Sequence, residues 1–359
     1  QTTNLRAMGI EAPILPVKVG PFPSMDFRGT VTQDLFNYQS IQNHKAAQER
    51  TNGSRQQVVN AREAVVLATV SAYLQAQRSK ASRDTTAEQL RLAQKLEQIT
   101  RDRYEHGISS ALDLNRARQQ VNSLQQTLYQ SENALTAAKL QLANVIHARV
   151  TSSFDVEELA ASAAPAIDGS QTVRQALESR PDYRAAESQV RAAERQLRAI
   201  RASRLPVIQF RGDFGQSGRT PFENLSTFHV QGSISLPLFT GGRIAGQVTE
   251  ADGQLQEARV SLEEIHSQVE TDVLTAVAAV ESAARELQVA RPNVQLAHEE
   301  VALATERLTS GVADNTEVVN AQDRLARSED TRIRAGYSLE VARANLERAT
   351  GAAEKAYTK

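Results

Sequence analysis

The strongest constraint on the fold is a stretch that occurs twice. Residues 307–349 (RLTSGVADNTEVVNAQDRLARSEDTRIRAGYSLEVARANLERA) align without a gap on a segment beginning at Arg103, 204 positions earlier. Gly107 falls on Gly311, Asp113 on Glu317, Ala117 on Ala321, Leu135 on Leu339, Ala138 on Ala342 and Leu142 on Leu346, which marks an internal repeat. After each glycine, seam residues recur at alternating steps of three and four. The first copy has Leu114, Ala117, Val121, Leu124, Leu128, Ser131, Leu135, Ala138, Leu142 and Val145. The second has Val318, Ala321, Leu325, Ser328, Arg332, Ala335, Leu339, Ala342, Leu346 and Ala349, with Arg332 as the intruder. A heptad held this long means helices packed knobs-into-holes, and its alanines let backbones approach closely.

A helical run of similar length precedes each glycine, so Gly107 and Gly311 mark the turns of two long helical hairpins. Glycine suits a left-handed helix end, after which Ser109 or Ser110, and Asp314 or Asn315, can cap the next helix. The run from Gln39 to His106 holds one glycine, Gly53, and no proline. It would extend ~100 Å as a continuous helix. Its expected buried side is Ala61, Ala64, Val65, Ala68, Ala72, Leu90, Ala93, Leu96 and Ile99.

Ahead of the first hairpin, and again between the two, the period changes to two. Met25, Phe27, Gly29, Val31 and Leu35 alternate with Asp26, Arg28, Thr30, Thr32 and Asp34, with Gln33 interrupting the apolar side. Ile208, Phe210, Gly212 and Phe214 alternate with Gln209, Arg211 and Asp213. After a polar loop over residues 215–227, Phe228, Val230, Gly232, Ile234, Leu236 and Leu238 alternate with His229, Gln231, Ser233, Ser235 and Pro237. Strands with one apolar and one charged face fit either half of a sandwich or a transmembrane barrel with lipid outside and water inside. The helices tip this balance: a few strands joined to such long hairpins have no core of their own and must close with other copies.

The resulting fold class is mainly α with a minor β part, a two-fold internal repeat of coiled-coil hairpins plus antiparallel strands. The expected divisions are a loop at 1–24, a strand at 25–37, a first hairpin at 38–147 turning near 107, and a linker at 148–172. There follow a helix at 173–204, a β-hairpin at 205–240, a second hairpin at 241–351 turning near 311, and a tail at 352–359. The second half contains a helix and strand that the first half lacks, so the repeat predicts a partner helix and strand ahead of residue 1, with residues 1–24 part of the loop that joins them.

Composition agrees. Aromatic residues are 4% of the chain and tryptophan is absent, the profile of long helices. The formal net charge of −1 gives no pull toward nucleic acid. The absence of cysteine removes disulfides and thiolate metal sites and leaves the compartment open. No apolar run reaches the ~18 residues of a membrane helix. His44, His106, His147, His229, His266 and His298 show no ligand spacing, so no metal is expected. Gly241-Gly242 lacks the frame of a phosphate loop. No nucleophile and base constellation is present, so neither a cofactor nor an enzymatic activity is expected.

Three segments together carry a family resemblance: RPDYRAAESQVRAAERQLRAIRASRLPVIQFRGDFG, FHVQGSISLPLFTGGRIAGQVTEA and RLTSGVADNTEVVNAQDRLARSE. The chain resembles the outer membrane efflux proteins of the TolC type over nearly its whole length. The resemblance implies a homotrimer: a short barrel in the bacterial outer membrane, four strands per protomer, continuing as an α-helical tunnel through the periplasm. It implies a passive conduit for drugs or proteins within a tripartite efflux or type I secretion system, docked onto a periplasmic adaptor and an inner-membrane pump. By position, the adaptor-contacting tips are Gly107, Ile108, Ser109 and Ser110, and Gly311, Val312, Ala313 and Asp314, within turns running to Leu112 and Thr316. The tunnel constriction maps to Glu317, with Asn320 in the place of a second acidic residue and Asp113 as the acidic residue of the first hairpin. The family's latch tyrosine and arginine map to Leu308 and Ala313, so a latch of that chemistry is not expected. Phe228, Val230, Ile234 and Leu236 are the lipid-facing residues of the last strand. Spacing alone reads Glu317 as a solvated carboxylate favoured by the helix dipole. The alternative for the whole chain is a periplasmic coiled-coil adaptor or scaffold without a pore.

Overall fold

The computed structural model describes residues 3–4, 18–19, 25–149, 154–157, 167–220 and 222–357. The elements run β1 (Thr3–Asn4), β2 (Lys18–Val19), β3 (Met25–Phe36), α1 (Tyr38–Glu105), α2 (Ala111–Val145), α3 (Gly169–Ser179) and α4 (Pro181–Ala202). They continue with β4 (Val207–Thr220), β5 (Glu223–Ser235), α5 (Arg243–Thr309), α6 (Asn315–Ala349) and α7 (Ala353–Tyr357). Most of the expected loop at 1–24, and of the linker at 148–172 between Ala148 and Ile167, lies outside the described residues; β1 and β2 pair as a short ribbon. The chain divides into two compact units, Gln1–Asn52 with Ser188–Val260, and Gly53–Glu187 with Ser261–Lys359.

The first unit holds an antiparallel sheet in the order β3-β4-β5. Residues directly opposite in an antiparallel pair share a face. Phe27, Val31, Phe210, Phe214, Phe228, Val230 and Ile234 therefore stand on one face, and Asp26, Arg28, Asp34, Arg211, Asp213 and His229 on the other. The register shifts between Asp34 and Phe36, which sets Phe36 opposite Ile208. The bulge thus interrupts the strict alternation expected through Leu35.

Two expectations for this sheet are corrected. Residues 215–220 and 223–227 are not a loop: β4 and β5 continue pairing almost to their tip, with Gly215 opposite Thr227 and Thr220 opposite Glu223. Backbone pairing persists where the oily alternation stops, since the ladder needs only its own amides and carbonyls. Gly218 permits this closeness, because a Cβ there would stand 2.0 Å from the Glu223 carbonyl oxygen of β5. At the other end β5 stops at Ser235, so Leu236 lies beyond the strand. Pro237 cannot donate to a ladder and restricts the residue before it. Beside the sheet, Leu197 of α4 and Ala251 and Leu255 of α5 form a small core.

The second unit is built of helices. All ten seam positions of α2 and all ten of α6 are buried or half-buried, Arg332 among them. Arg332 is tolerated because its guanidinium turns to Glu329, 2.8 Å away, one turn earlier on the same helix. One cluster packs Leu96 of α1 with Ala297, Val301, Ala304 and Leu308 of α5 and Val318, Ala321 and Leu325 of α6. A second joins Val280, Ala283, Leu287 and Ala290 of α5 to Ala335, Leu339 and Ala342 of α6. Ala72 and Ala76 of α1, Ala138 and Leu142 of α2 and Val156 form another.

In α1 the expected buried side holds at Ala72, Leu90, Ala93 and Leu96, while Ile99 is half-buried and Ala61, Ala64, Val65 and Ala68 are exposed. The reason is Glu63, buried because its carboxylate accepts the backbone N–H groups of Ala353 and Glu354 at 3.0 and 3.2 Å, where α7 begins. Those four residues lie roughly 100–200° around the helix from Glu63, so seating Glu63 inward turns them out.

Candidate functional site

The two hairpin tips repeat one hydrogen-bond pattern. The N–H groups of Gly107, Ile108 and Ser109 donate to the carbonyls of Tyr104, Arg103 and Arg103 at 2.9, 2.8 and 3.2 Å. Those of Gly311, Val312 and Ala313 donate to Leu308, Arg307 and Arg307 at 3.1, 3.0 and 3.2 Å. Both glycines are left-handed, at φ 75° and 76°, which closes the orphan carbonyls of α1 and α5. Ile108 and Val312 are exposed side by side in this alignment. A Cβ at Gly107 or Gly311 would meet nothing within 4 Å, so substitution strains the backbone alone. Gly107→Ala and Gly311→Ala should each cost about 1 kcal/mol, read as faster amide exchange confined to that tip. Unchanged exchange would contradict the assigned turn.

The caps that follow differ. At α2, Ser110 and Asp113 form a reciprocal capping box: the Asp113 N–H donates to the Ser110 hydroxyl, and the Ser110 N–H to the Asp113 carboxylate. At α6 the N-cap is Asp314, whose carboxylate accepts the Glu317 N–H at 3.2 Å. The longer Glu317 side chain is left to reach Arg307 across the tip, at 2.9 Å. Both partners remain about half exposed, at 54% and 41%, so this is a solvated pair of small net energy. Asn320 is exposed one turn on.

In the first tip the Asp113 carboxylate is taken up by Ser110, and Arg103 instead donates to the Leu308 carbonyl at 2.7 Å, joining one hairpin to the other. A second link is buried: Asn315 Nδ2 donates to the Thr100 hydroxyl at 2.6 Å, which donates to the Leu96 carbonyl at 2.8 Å. Asn315 therefore serves as a buried inter-hairpin donor rather than a cap. Leu308, at the latch-tyrosine position, is a fully buried core side chain, and Ala313 is half-buried. Nothing in the helical spacing distinguished Arg103, Thr100 or Asn315; only the pairing of the two hairpins reveals them.

The sheet supplies the other half of the arrangement. Phe27, Val31, Phe214, Phe228, Val230 and Ile234 are each 63–79% exposed on one face, a contiguous apolar surface of the kind that marks a contact with lipid or protein. Across the sheet, Arg28 pairs with Asp26 at 3.0 Å and Asp213 at 2.7 Å, and His229 Nδ1 lies 3.5 Å from Asp213. Gln209 donates to Asp34 at 2.9 Å. Among the described residues the strands β3 and β5 are both edges, open to further strands. Leu236, beyond β5, is about half exposed, and Leu238 and Phe239 after it are almost fully exposed.

Among the described residues there is no cluster of metal-ligating side chains, and no helix is long and apolar enough to cross a membrane.

Comparison with solved structures places this architecture. The chain resembles the outer membrane protein VceC of Vibrio cholerae, with a TM-score of 0.75 and 18% identity over 92% of this chain and 87% of that one. It resembles CusC, whose structures address folding and transmembrane channel formation, with a TM-score of 0.78 and 19% identity over 91% of this chain and 78% of that one. The MtrE outer membrane channel of Neisseria gonorrhoeae, in its open state, matches with a TM-score of 0.74 and 19% identity over 92% of this chain and 80% of that one. At these identities the likeness establishes the fold, long helical hairpins carrying a small antiparallel sheet. The sequence model described as outer membrane efflux protein matches residues 22–146 and 172–352. The two matched stretches take in both hairpins, both tips and the three-stranded sheet, and the chain belongs to the outer membrane efflux protein family.

Proposed function

We propose that this chain is one protomer of a trimeric channel in the bacterial outer membrane, a passive conduit of a tripartite efflux or type I secretion system. The observation that carries the reading is the sheet: one face is oily and uncovered, the other bears charged groups paired to one another, and both edges are open. Such a sheet is satisfied by lipid on one side, water on the other and further strands at its edges. The helices support closure with other copies. Val289, Leu296 and Leu303 of α5 recur every seven residues and are all 60–63% exposed, a second heptad seam outside the one buried within the chain.

In this reading the tips around Gly107 and Gly311 meet a periplasmic adaptor, through which the inner-membrane pump is engaged. Ile108 and Val312 offer apolar contacts there. Opening is a movement of the hairpins at the constriction formed by Glu317 and Asn320, with Asp113 on the neighbouring tip. Because Arg307 already faces Glu317, the ring carries paired charges rather than three bare carboxylates. Glu317→Gln would leave three Arg307 guanidinia uncompensated, and single-channel recordings should show selectivity shifting from cations toward anions. Identical selectivity would remove Glu317 from the constriction; failure of the intact protein to form trimers that conduct would remove the channel reading itself.

A further inference from the structure

Within the helical unit, α1, α5 and α6 together with Val156 line an open cleft of about 390 Å³, within the range that holds small organic ligands. Its floor is apolar, made by Leu74, Val156, Leu287 and Ile333. Its rim carries four cations, Arg78, Lys80, Arg291 and Arg332, against two acids, Asp84 and Glu340.

Most of these charges are already engaged. Lys80 pairs with Asp155 at 2.7 Å and Arg332 with Glu329 at 2.8 Å, while Asp84 pairs with Arg83 at 3.0 Å and Glu340 with Arg343 at 2.8 Å. Arg78 and Arg291 have no carboxylate partner among the described residues. Arg78 is held instead over the Tyr337 ring, 5.2 Å from its centroid, which fixes the guanidinium without neutralising it. Gly336 also lines the cleft, and a Cβ there would meet nothing within 4 Å. Glycine in a helix interior costs about 1 kcal/mol relative to alanine, and here no close approach requires it; its effect is to leave the space empty. The matching position of the first repeat is Glu132.

We propose that this cleft binds an amphipathic organic anion, its apolar body on Leu74, Val156, Leu287 and Ile333 and its acid group drawn to Arg78 and Arg291. A planar body suits it, since the Arg78 and Tyr337 pair presents flat surfaces, and a carboxylate, sulfonate or phosphate matches the forked donors of a guanidinium. None of the residues that line it belongs to either tip, so occupancy is separable from adaptor contact.

The probe is naphthalene-2-sulfonate, titrated by calorimetry into the full-length protein in a neutral detergent. One saturable site per chain is expected, weakening as sodium chloride is raised, with 2-naphthol at least tenfold weaker. The double variant Arg78→Gln with Arg291→Gln should lose at least tenfold in affinity. Gly336→Leu, which keeps both guanidinia and fills the floor, should abolish binding. Arg324→Gln, which removes an arginine paired with Glu300 elsewhere on the surface, should leave it unchanged. Absence of a saturable site in the native protein, equal affinity for 2-naphthol, or undiminished affinity in Gly336→Leu would each overturn the proposal. Should the double variant misfold by circular dichroism, Gly336→Leu and the neutral analogue decide. Conductance measured on the same preparations reports separately on the channel reading.

Discussion

Arg180→Met should destabilise the helical unit by about 2–3 kcal/mol, the cost of leaving two part-buried carboxylates, 26% and 34% exposed, without their charged donor. The Arg180 side chain is 7% exposed at the break between α3 and α4. Its Nε and Nη2 donate to the two carboxylate oxygens of Asp182 at 3.0 and 2.6 Å, and its Nη1 to Asp272 of α5 at 2.9 Å. The same Nη1 approaches the Ala349 carbonyl at the end of α6 at 3.4 Å. One guanidinium therefore ties the start of α4, the middle of α5 and the C-terminal end of α6. Gly351, at φ 69°, lies so close to the Arg180 backbone that a Cβ would stand 3.0 Å from the Arg180 Cα. Methionine matches the stem but supplies no donor. Arg180→Lys, which keeps charge and loses the fork, should fall between the two. A denaturation midpoint for Arg180→Met within error of the native protein would refute the assignment.

The same cluster carries a pH dependence. Burial pushes the Asp182 carboxyl up, but the hydrogen bond and charge of Arg180 outweigh it, and the pKa is lowered below 3.8. A folded-state pKa below the unfolded value gives stability that is complete above the unfolded pKa and is lost as pH falls through the folded one. The native protein should therefore lose stability below about pH 4, and Arg180→Met should show a flatter profile there.

Ile234→Lys should cost about 2–4 kcal/mol if the residue sits near the bilayer midplane, the cost of a cation on the lipid face of a barrel. Ile234 is 74% exposed and pairs with Ile208 on the oily face of the sheet. Its neighbour Ser233 pairs with Gln209 on the opposite face, so Ser233→Lys should change assembly little. The fraction recovered as folded trimer from membranes separates the two, and equal yields from both variants would mean that the faces have been assigned to the wrong solvents.

Much of this was legible because it follows from period and turn chemistry. The heptads around Leu114 and Val318 fix which faces of α2 and α6 are buried, and a glycine followed by a capping residue fixes where each hairpin turns. The sheet's two faces follow from alternation through Phe27, Phe214 and Phe228. What stayed hidden depends on partners distant in the chain. Alanines at 61, 64 and 68 look like a packing stripe until Glu63 is seen to cap α7. The extension of β4 and β5 past Gly215 rests on backbone pairing that leaves no side-chain pattern. Asn315 reads as a candidate cap, and Arg103 and Thr100 carry no signal of their own; all three become linkers only when the hairpins lie together. Leu236 falls outside the ladder for the simpler reason that Pro237 ends it.

The doubled tip has a consequence for symmetry. Each chain presents two backbone turns of the same geometry, so three chains would present six. The side chains do not follow: one turn closes on a serine and aspartate box, the other on an arginine and glutamate pair. A docking protein that grips main chain and the exposed Ile108 and Val312 would find six equivalent sockets. One that reads charge would find three, and could seat in only half as many orientations.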